Sequence, residues 1–167
     1  IVMEIRECRY KLMDAGEKHD PSEVARCVDQ LWSAIGRAWG RILSLNPSRA
    51  DDLHDLMRHR EYCRWFVREV KKSLTNLKDS ADWMGFERRE MKRRIDITIA
   101  RAEEEKRKLS IAERESLENY RRRLNEIESA AAYINNFMDS TLRLLDDCHS
   151  QFKLIRKAIL KKLEHPS

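Results

Sequence analysis

Ile111–Leu163 reads IAERESLENYRRRLNEIESAAAYINNFMDSTLRLLDDCHSQFKLIRKAILKKL. From Leu117 through Tyr120, Leu124, Ile127, Ala131, Ile134, Met138, Thr141, Leu145, Cys148, Phe152 and Ile155 to Ile159, the spacing alternates three and four without a slip. An apolar seam held over about six heptads belongs to a helix that buries one stripe against another helix. No Gly or Pro interrupts residues 87–165, so nothing local breaks it. The rest of the chain supplies the partners that this seam requires.

Working backwards, Pro47–Lys108 carries a second seam in one frame: Leu53, Leu56, Cys63, Val67, Val70, Leu74, Leu77, Ala81, Met84, Met91, Ile95 and Ala102. Gly85 is its weak point, where one long helix could bend or restart. Between the two seams the frame slips by one residue. Lys106, Arg107 and Lys108 suit a helix C-terminus, and Ser110 with Glu113 makes a capping box for the next helix. A tight turn there gives an antiparallel hairpin roughly 80 Å long at ~1.5 Å per residue. The rival is a single rod, since neither Gly nor Pro forces a turn.

Two shorter helices precede the hairpin. Asp20-Pro21-Ser22-Glu23 announces one of them, with Asp20 as cap and Pro21 at the first helical position. Its seam runs Val24, Val28, Leu31, Ile35, Ala38, Ile42 and Leu45, flanked by Trp32 and Trp39. Gly36 and Gly40 share one side of it. Each costs about 1 kcal/mol against alanine in a helix interior, which implies a close backbone neighbour. Asn46-Pro47 repeats the start signal. Ile1–Ala15 is a short amphipathic segment, ended by Gly16, that must dock to be stable.

The expected architecture is therefore all-α: an elongated antiparallel helical bundle with a long coiled-coil hairpin. It forms a single helical module over residues 1–167, with helices about 1–15, 21–45, 47–108 and 111–163. The helix 21–45 reaches only the part of the hairpin near its own connection. This leaves a thicker bundle at one end and a two-helix arm, roughly residues 90–130, at the other. Pairs Glu90/Arg94, Glu103/Arg107 and Glu118/Arg122 at i,i+4 support the arm by a few tenths of a kcal/mol each, ~0.2–0.5.

Composition agrees. Charged residues make up 38% of the 167, against four glycines and three prolines, which fits long helices better than an α/β domain. The formal net charge of +5 leans toward acidic partners without naming one. Cys8, Cys27, Cys63 and Cys148 lie far apart with no CxxC pair, which reads as reduced core thiols in an intracellular protein, cytoplasmic first and nuclear second. No apolar run approaches the ~18 residues of a transmembrane span.

Chemistry is scarce. There is no Gly-x-Ser-x-Gly and no glycine-rich phosphate loop, and long helices with few loops offer little concave surface. No enzyme, cofactor or metal is expected. Asp51/His54 and Asp146/His149 have carboxylate–imidazole spacing, yet a hairpin holds the two pairs about 25 Å apart. Asp55, His59 and Cys63 share a helix face but lack a fourth ligand, and read as a core thiol beside a surface histidine.

Two surfaces remain. Trp83 and Phe86, with Arg88, Arg89, Arg93 and Arg94, combine large aromatics with arginines as interface hot spots do. They equally suit packing under Ile1–Ala15. Arg64, Arg68, Lys71, Lys72, Lys153, Arg156, Lys157 and Lys161 should lie side by side and make one end electropositive. The functional expectation is a non-enzymatic helical or coiled-coil module binding another protein, a scaffold or adaptor that forms a homodimer. The alternative is binding of nucleic acid or an acidic membrane surface through the basic end.

Overall fold

The computed structural model describes residues 2–50 and 52–165. Four helices account for nearly all of them: α1 (Val2–Glu17), α2 (Pro21–Ser44), α3 (Leu53–Glu104) and α4 (Ile111–Glu164). A single 3₁₀ turn, Pro47–Arg49, joins α2 to α3. The all-α architecture read from the heptads is the one observed, and the chain turns back between α3 and α4 instead of running on as a rod.

The caps explain each start. Asp20 accepts the Glu23 backbone N–H at 3.2 Å, and Ser110 and Glu113 close a reciprocal capping box. Pro47 differs from expectation. Asn46 caps only the 3₁₀ turn, Ala50 is extended, and Asp52 then accepts from the Asp55 N–H at 2.8 Å, so α3 begins at Leu53. α3 runs through Gly85 without a break.

The two unmarked stops share one device. α1 continues through Gly16 to Glu17. There the Asp20 N–H reaches back to the Ala15 carbonyl and the His19 N–H to that of Gly16. At the end of α3, Arg107 reaches Ala102 and Lys106 reaches Glu103 in the same pattern. Both are Schellman motifs, in which the residue after the helix adopts left-handed geometry. His19 and Lys106 do so at φ 51°, although neither is glycine.

Side-chain pairs fix the register. Arg88 meets Glu128 at 3.3 Å, and six residues further up α3 Arg94 lies over the Tyr120 ring, eight residues earlier in α4, so α3 and α4 are antiparallel; Arg123 Nε meets Glu87 at 2.7 Å in the same register. α1 runs alongside α3, from Arg6 at Glu69 to His19 at Trp83. α2 runs with α4, from Asp29 at Tyr133 to Trp32 at Phe137, and against α3, where Trp39 stacks on Phe66. Arg123 also donates to the His19 carbonyl at 2.7 Å, which ties the α1–α2 loop to the hairpin. Below that level lies a four-helix bundle; above it α3 and α4 continue alone for about 30 Å.

The core follows this division. Leu56, Cys63, Val70, Leu77 and Met84 of α3 are buried as read, but so are His59, Phe66, Ser73 and Ser80. The last four form a second stripe, heptad-spaced, that faces the shorter helices. In α4 the added stripe is Ala130, Phe137 and Leu144. Val67, Leu74, Ala81 and Ile95, expected in the seam, are only half-buried. In a bundle the apolar face widens toward each neighbour, and serines hide that widening from a hydrophobicity count.

Gly36 and Gly40 do not serve close approach. Both are exposed, and a Cβ at either would meet nothing within 4 Å. The close approach is at Gly16, where a Cβ would lie 3.1 Å from Ser80 Oγ. α1 and α3 touch there through two small residues.

Candidate interaction surfaces

The aromatic–arginine surface divides when its residues are placed. Trp83 is half-buried, with its ring stacked on His19 at 4.5 Å and nearly parallel. The α1–α2 loop therefore claims it for the fold, and its indole N–H has no acceptor among the described residues. Phe86, three residues on, lies past the bundle and is 67% exposed. Most of the arginines are engaged within the arm. Arg88 pairs with Glu128, while Arg93 and Arg94 reach Glu90 at 2.6 and 3.1 Å. Those two guanidiniums hold the Glu90 carboxyl down to about 2. Arg94 also lies over the Tyr120 ring, 5.8 Å from its centre. Arg89 alone of the set is exposed with no carboxylate partner among the described residues.

Other pairs lie further along the arm. Glu118–Arg122 forms at 3.7 Å as expected. Glu103–Arg107 does not, because α3 stops at Glu104; Arg107 turns to Glu105 and Glu113, the latter at 2.6 Å. Arg107 and the Ser110 backbone N–H hold the Glu113 carboxyl down to about 2, so the capping box stays ionised. Apolar contact in the arm is one seam deep. Met91, Ala102 and Leu117 are buried, whereas Ile97 and Ile111 stand outward.

At the other end the charges are left open. Arg64, Arg68, Lys71, Lys72, Lys153, Arg156, Lys157 and Lys161 are all exposed. Arg64 lies 3.8 Å from Glu61; the other seven have no carboxylate partner among the described residues. The two clusters are staggered and do not lie side by side. The register set by Glu87–Arg123 and Arg88–Glu128 brings Arg64 close to the level of Lys153, and from there the clusters run opposite ways. Lys153–Lys161 occupies the foot of the bundle beside the start of α3. Arg68, Lys71 and Lys72 climb its side.

Neighbouring aromatics are only partly covered. Tyr62 is half-buried with the Arg41 guanidinium 5.5 Å from its ring centre. Trp65 is exposed and donates its indole N–H to Glu61 at 3.1 Å.

The metal-like spacings give no site. Asp51 lies outside the described residues; His54, Asp146 and His149 are exposed. His59 is buried instead of lying on the surface as expected, and its Nε2 has no partner among the described residues. Burial pushes the neighbouring Cys63 thiol up to about 11 and Cys148 up to about 12, so both stay protonated at neutral pH. Among the described residues, no three His, Cys, Asp or Glu side chains are arranged to hold a metal ion.

One cluster was missed by pattern reading. Glu69 is 2% exposed and receives Arg6 at 2.9 Å and Arg9 at 3.4 Å, both from α1. Arg9, itself buried, also donates to Asn76 at 3.4 Å. The signal was an acid beside a seam residue (Val70) and two arginines nearly one turn apart on a helix that must dock. Compared with known proteins, the chain matches no family model, no curated protein and no solved structure.

Proposed function

We propose that the chain is a non-enzymatic helical interaction module, a scaffold or adaptor that forms a homodimer through its arm. The observation that carries this is the thin arm itself. Phe86, Glu90, Arg93 and Ile97 follow one another at spacings of four, three and four on the outer side of α3. Phe86 and Ile97 are exposed, and Glu90 and Arg93 between them on the stripe are paired with each other. A second copy laid along this stripe would bury apolar surface around an ion pair that is already partnered, with Arg89 beside it open to a carboxylate of the other copy. An intracellular setting, cytoplasmic before nuclear, belongs to the same reading and is supported by four free cysteines.

Sedimentation equilibrium tests the proposal. The expected mass is twice 19.9 kDa, falling to the single-chain value for Phe86→Glu with Ile97→Glu. Phe86 is preferred to Trp83 because truncating Trp83 also removes a packing contact of the bundle. A monomer at tens of micromolar refutes the dimer.

A second reading has its own observation. Seven open cations at the foot and side of the bundle, with Glu164 the only acid over residues 148–165, favour an anionic partner at that end.

A further inference from the structure

We infer that the foot of the bundle docks on acidic lipid bilayers, with the last turns of α4 lying in the headgroup layer. This rests on the reading of the basic end as an anion-binding surface and narrows it from polyanions in general to lipid.

Charge alone does not choose between nucleic acid and membrane; the apolar residues among the charges do. Leu154, Leu160 and Leu163 of α4 and Leu43 and Leu45 at the end of α2 are each between 45% and 58% exposed. Met57, in the first turns of α3 at the same end, is 39% exposed. They are interleaved with Lys153, Arg156, Lys157 and Lys161, whereas Glu164 is the only acid over residues 148–165. A cleft of about 540 Å³ opens between the 46–48 turn and α4. Leu56 and Ala158 contribute apolar lining, and Lys157, Lys161 and His165 border it.

Single-stranded nucleic acid is held by stacking on aromatic rings, and a duplex by phosphate contacts to which exposed leucines add nothing. The exposed large side chains at this end are aliphatic. Trp65, up the side of the bundle, is engaged with Glu61. Leucines beside lysines on one helix are what an interfacial helix presents: the apolar groups enter the headgroup boundary and the cations meet anionic lipid. Among the described residues no helix is long and apolar enough to cross a membrane, so this attachment is peripheral. The cleft suits an anionic amphiphile, whose chain would meet Leu56 and Ala158 while its headgroup meets the lysines.

Flotation of the full chain with vesicles tests this. One set is pure phosphatidylcholine, the other equal parts phosphatidylcholine and phosphatidylserine; heparin and duplex RNA are assayed in parallel. The expected result is binding to the acidic vesicles only. Leu154→Ser, Leu160→Ser and Leu163→Ser together should weaken vesicle binding at least tenfold and leave heparin binding unchanged. Because all three are exposed, the far-ultraviolet circular dichroism should not change. Lys153→Glu, Lys157→Glu and Lys161→Glu together should weaken both, by about fivefold per cation. If the leucine variant floats as well as the wild type, or RNA is bound and acidic vesicles are not, the lipid inference is overturned while the anionic reading stands. If neither vesicles nor polyanions bind, or charge reversal changes neither, both fail.

Discussion

Removing the Glu69 carboxylate should loosen α1 from the bundle, and the geometry sets the size of the effect. Two arginines of α1 converge on it, Arg6 at 2.9 Å and Arg9 at 3.4 Å. Arg6 is a third exposed and regains water when its partner goes. Arg9 is not, with only 8% of its side chain exposed and its Nε without an acceptor. In Glu69→Ala that charge stays buried with a long bond to Asn76, a weak one to Met13 Sδ and the face of the Tyr10 ring. Breaking a buried pair from one side costs about 3–5 kcal/mol, and the surviving Asn76 contact points to the lower end, about 3 kcal/mol. At roughly 2–4 °C per kcal/mol for a chain of this size, the melting temperature should fall by about 6–12 °C. Thermal and urea unfolding followed by circular dichroism measure it, and hydrogen exchange should show the loss concentrated in residues 3–17. The triple variant Arg6→Met, Arg9→Met, Glu69→Leu removes the charges together and should lie within about 1 kcal/mol of the wild type or above it. A Glu69→Ala loss below about 1 kcal/mol would mean that the cluster behaves like exposed ion pairs, and the reasoning fails.

Glycine placement gives a matched pair of tests. Gly36→Ala and Gly40→Ala should each raise stability by up to about 1 kcal/mol, read from the urea midpoint at unchanged slope; a loss would show a neighbour approaching there. Conversely Lys106→Gly, at φ 51°, should stabilise the hairpin turn by about 1 kcal/mol, and a destabilised variant would contradict the Schellman geometry. His59 gives a pH test. Burial holds its pKa below the ordinary 6.5, so the unfolded chain takes up a proton more readily than the folded one as pH falls through that value. Wild-type stability should therefore decline below about pH 6.5. His59→Leu should be more stable by about 1–2 kcal/mol at neutral pH, with a gap that widens toward acid; a gap independent of pH would mean the imidazole is solvated.

Residues that carry their own local signal were legible in the sequence. The Asp20-Pro21 start and the Ser110/Glu113 box each involve neighbours within one turn and stand where expected; the α4 seam is buried at Leu117, Ile127, Ile134, Thr141, Cys148, Ile155 and Ile159 and only half-buried at Tyr120, Leu124, Ala131, Met138, Leu145 and Phe152. What escaped was set by tertiary contact. His59, Ser73 and Ser80 are buried because α1 and α2 cover that side of α3, which no periodicity of apolar residues records. The chain stops at Glu17 and Glu104 through left-handed His19 and Lys106, where the usual marker would be glycine. Gly16 looked like a stop and is a packing site, while Gly36 and Gly40 looked like packing sites and have no neighbour; nothing in the structure explains their choice over alanine. The surface residues were found by type and place, but the pairing of Arg88, Arg93 and Arg94 separates them from the open cations at the foot. For Arg88 that pairing depends on the tertiary register, since Glu128 lies on the other helix, whereas Glu90 stands within one turn of Arg93 and Arg94.

This difference in pairing bears on how the two proposed surfaces would work in one molecule. Exposed ion pairs contribute only about 0–1 kcal/mol each, so the arm's many pairs do little to hold it together. Their consequence is electrostatic: they weaken the field along Phe86–Ile97, where Arg89 and Lys92 alone stay open among the described cations, so two copies approach against less repulsion than two feet would. At the foot the field is left uncancelled beside exposed leucines. Counting along α4 from the level of Phe86 to Leu154 separates the two by about 40 Å at the helical rise, several times the ~8 Å screening length of physiological salt. The surfaces are therefore electrically independent. Raising salt should strip the foot from acidic vesicles while leaving the sedimented mass unchanged, and a dimer attached by two feet should release at higher salt than the Phe86→Glu, Ile97→Glu monomer attached by one. Equal salt sensitivity of the two proteins would show that the feet do not engage together, and would place them on opposite faces of the dimer.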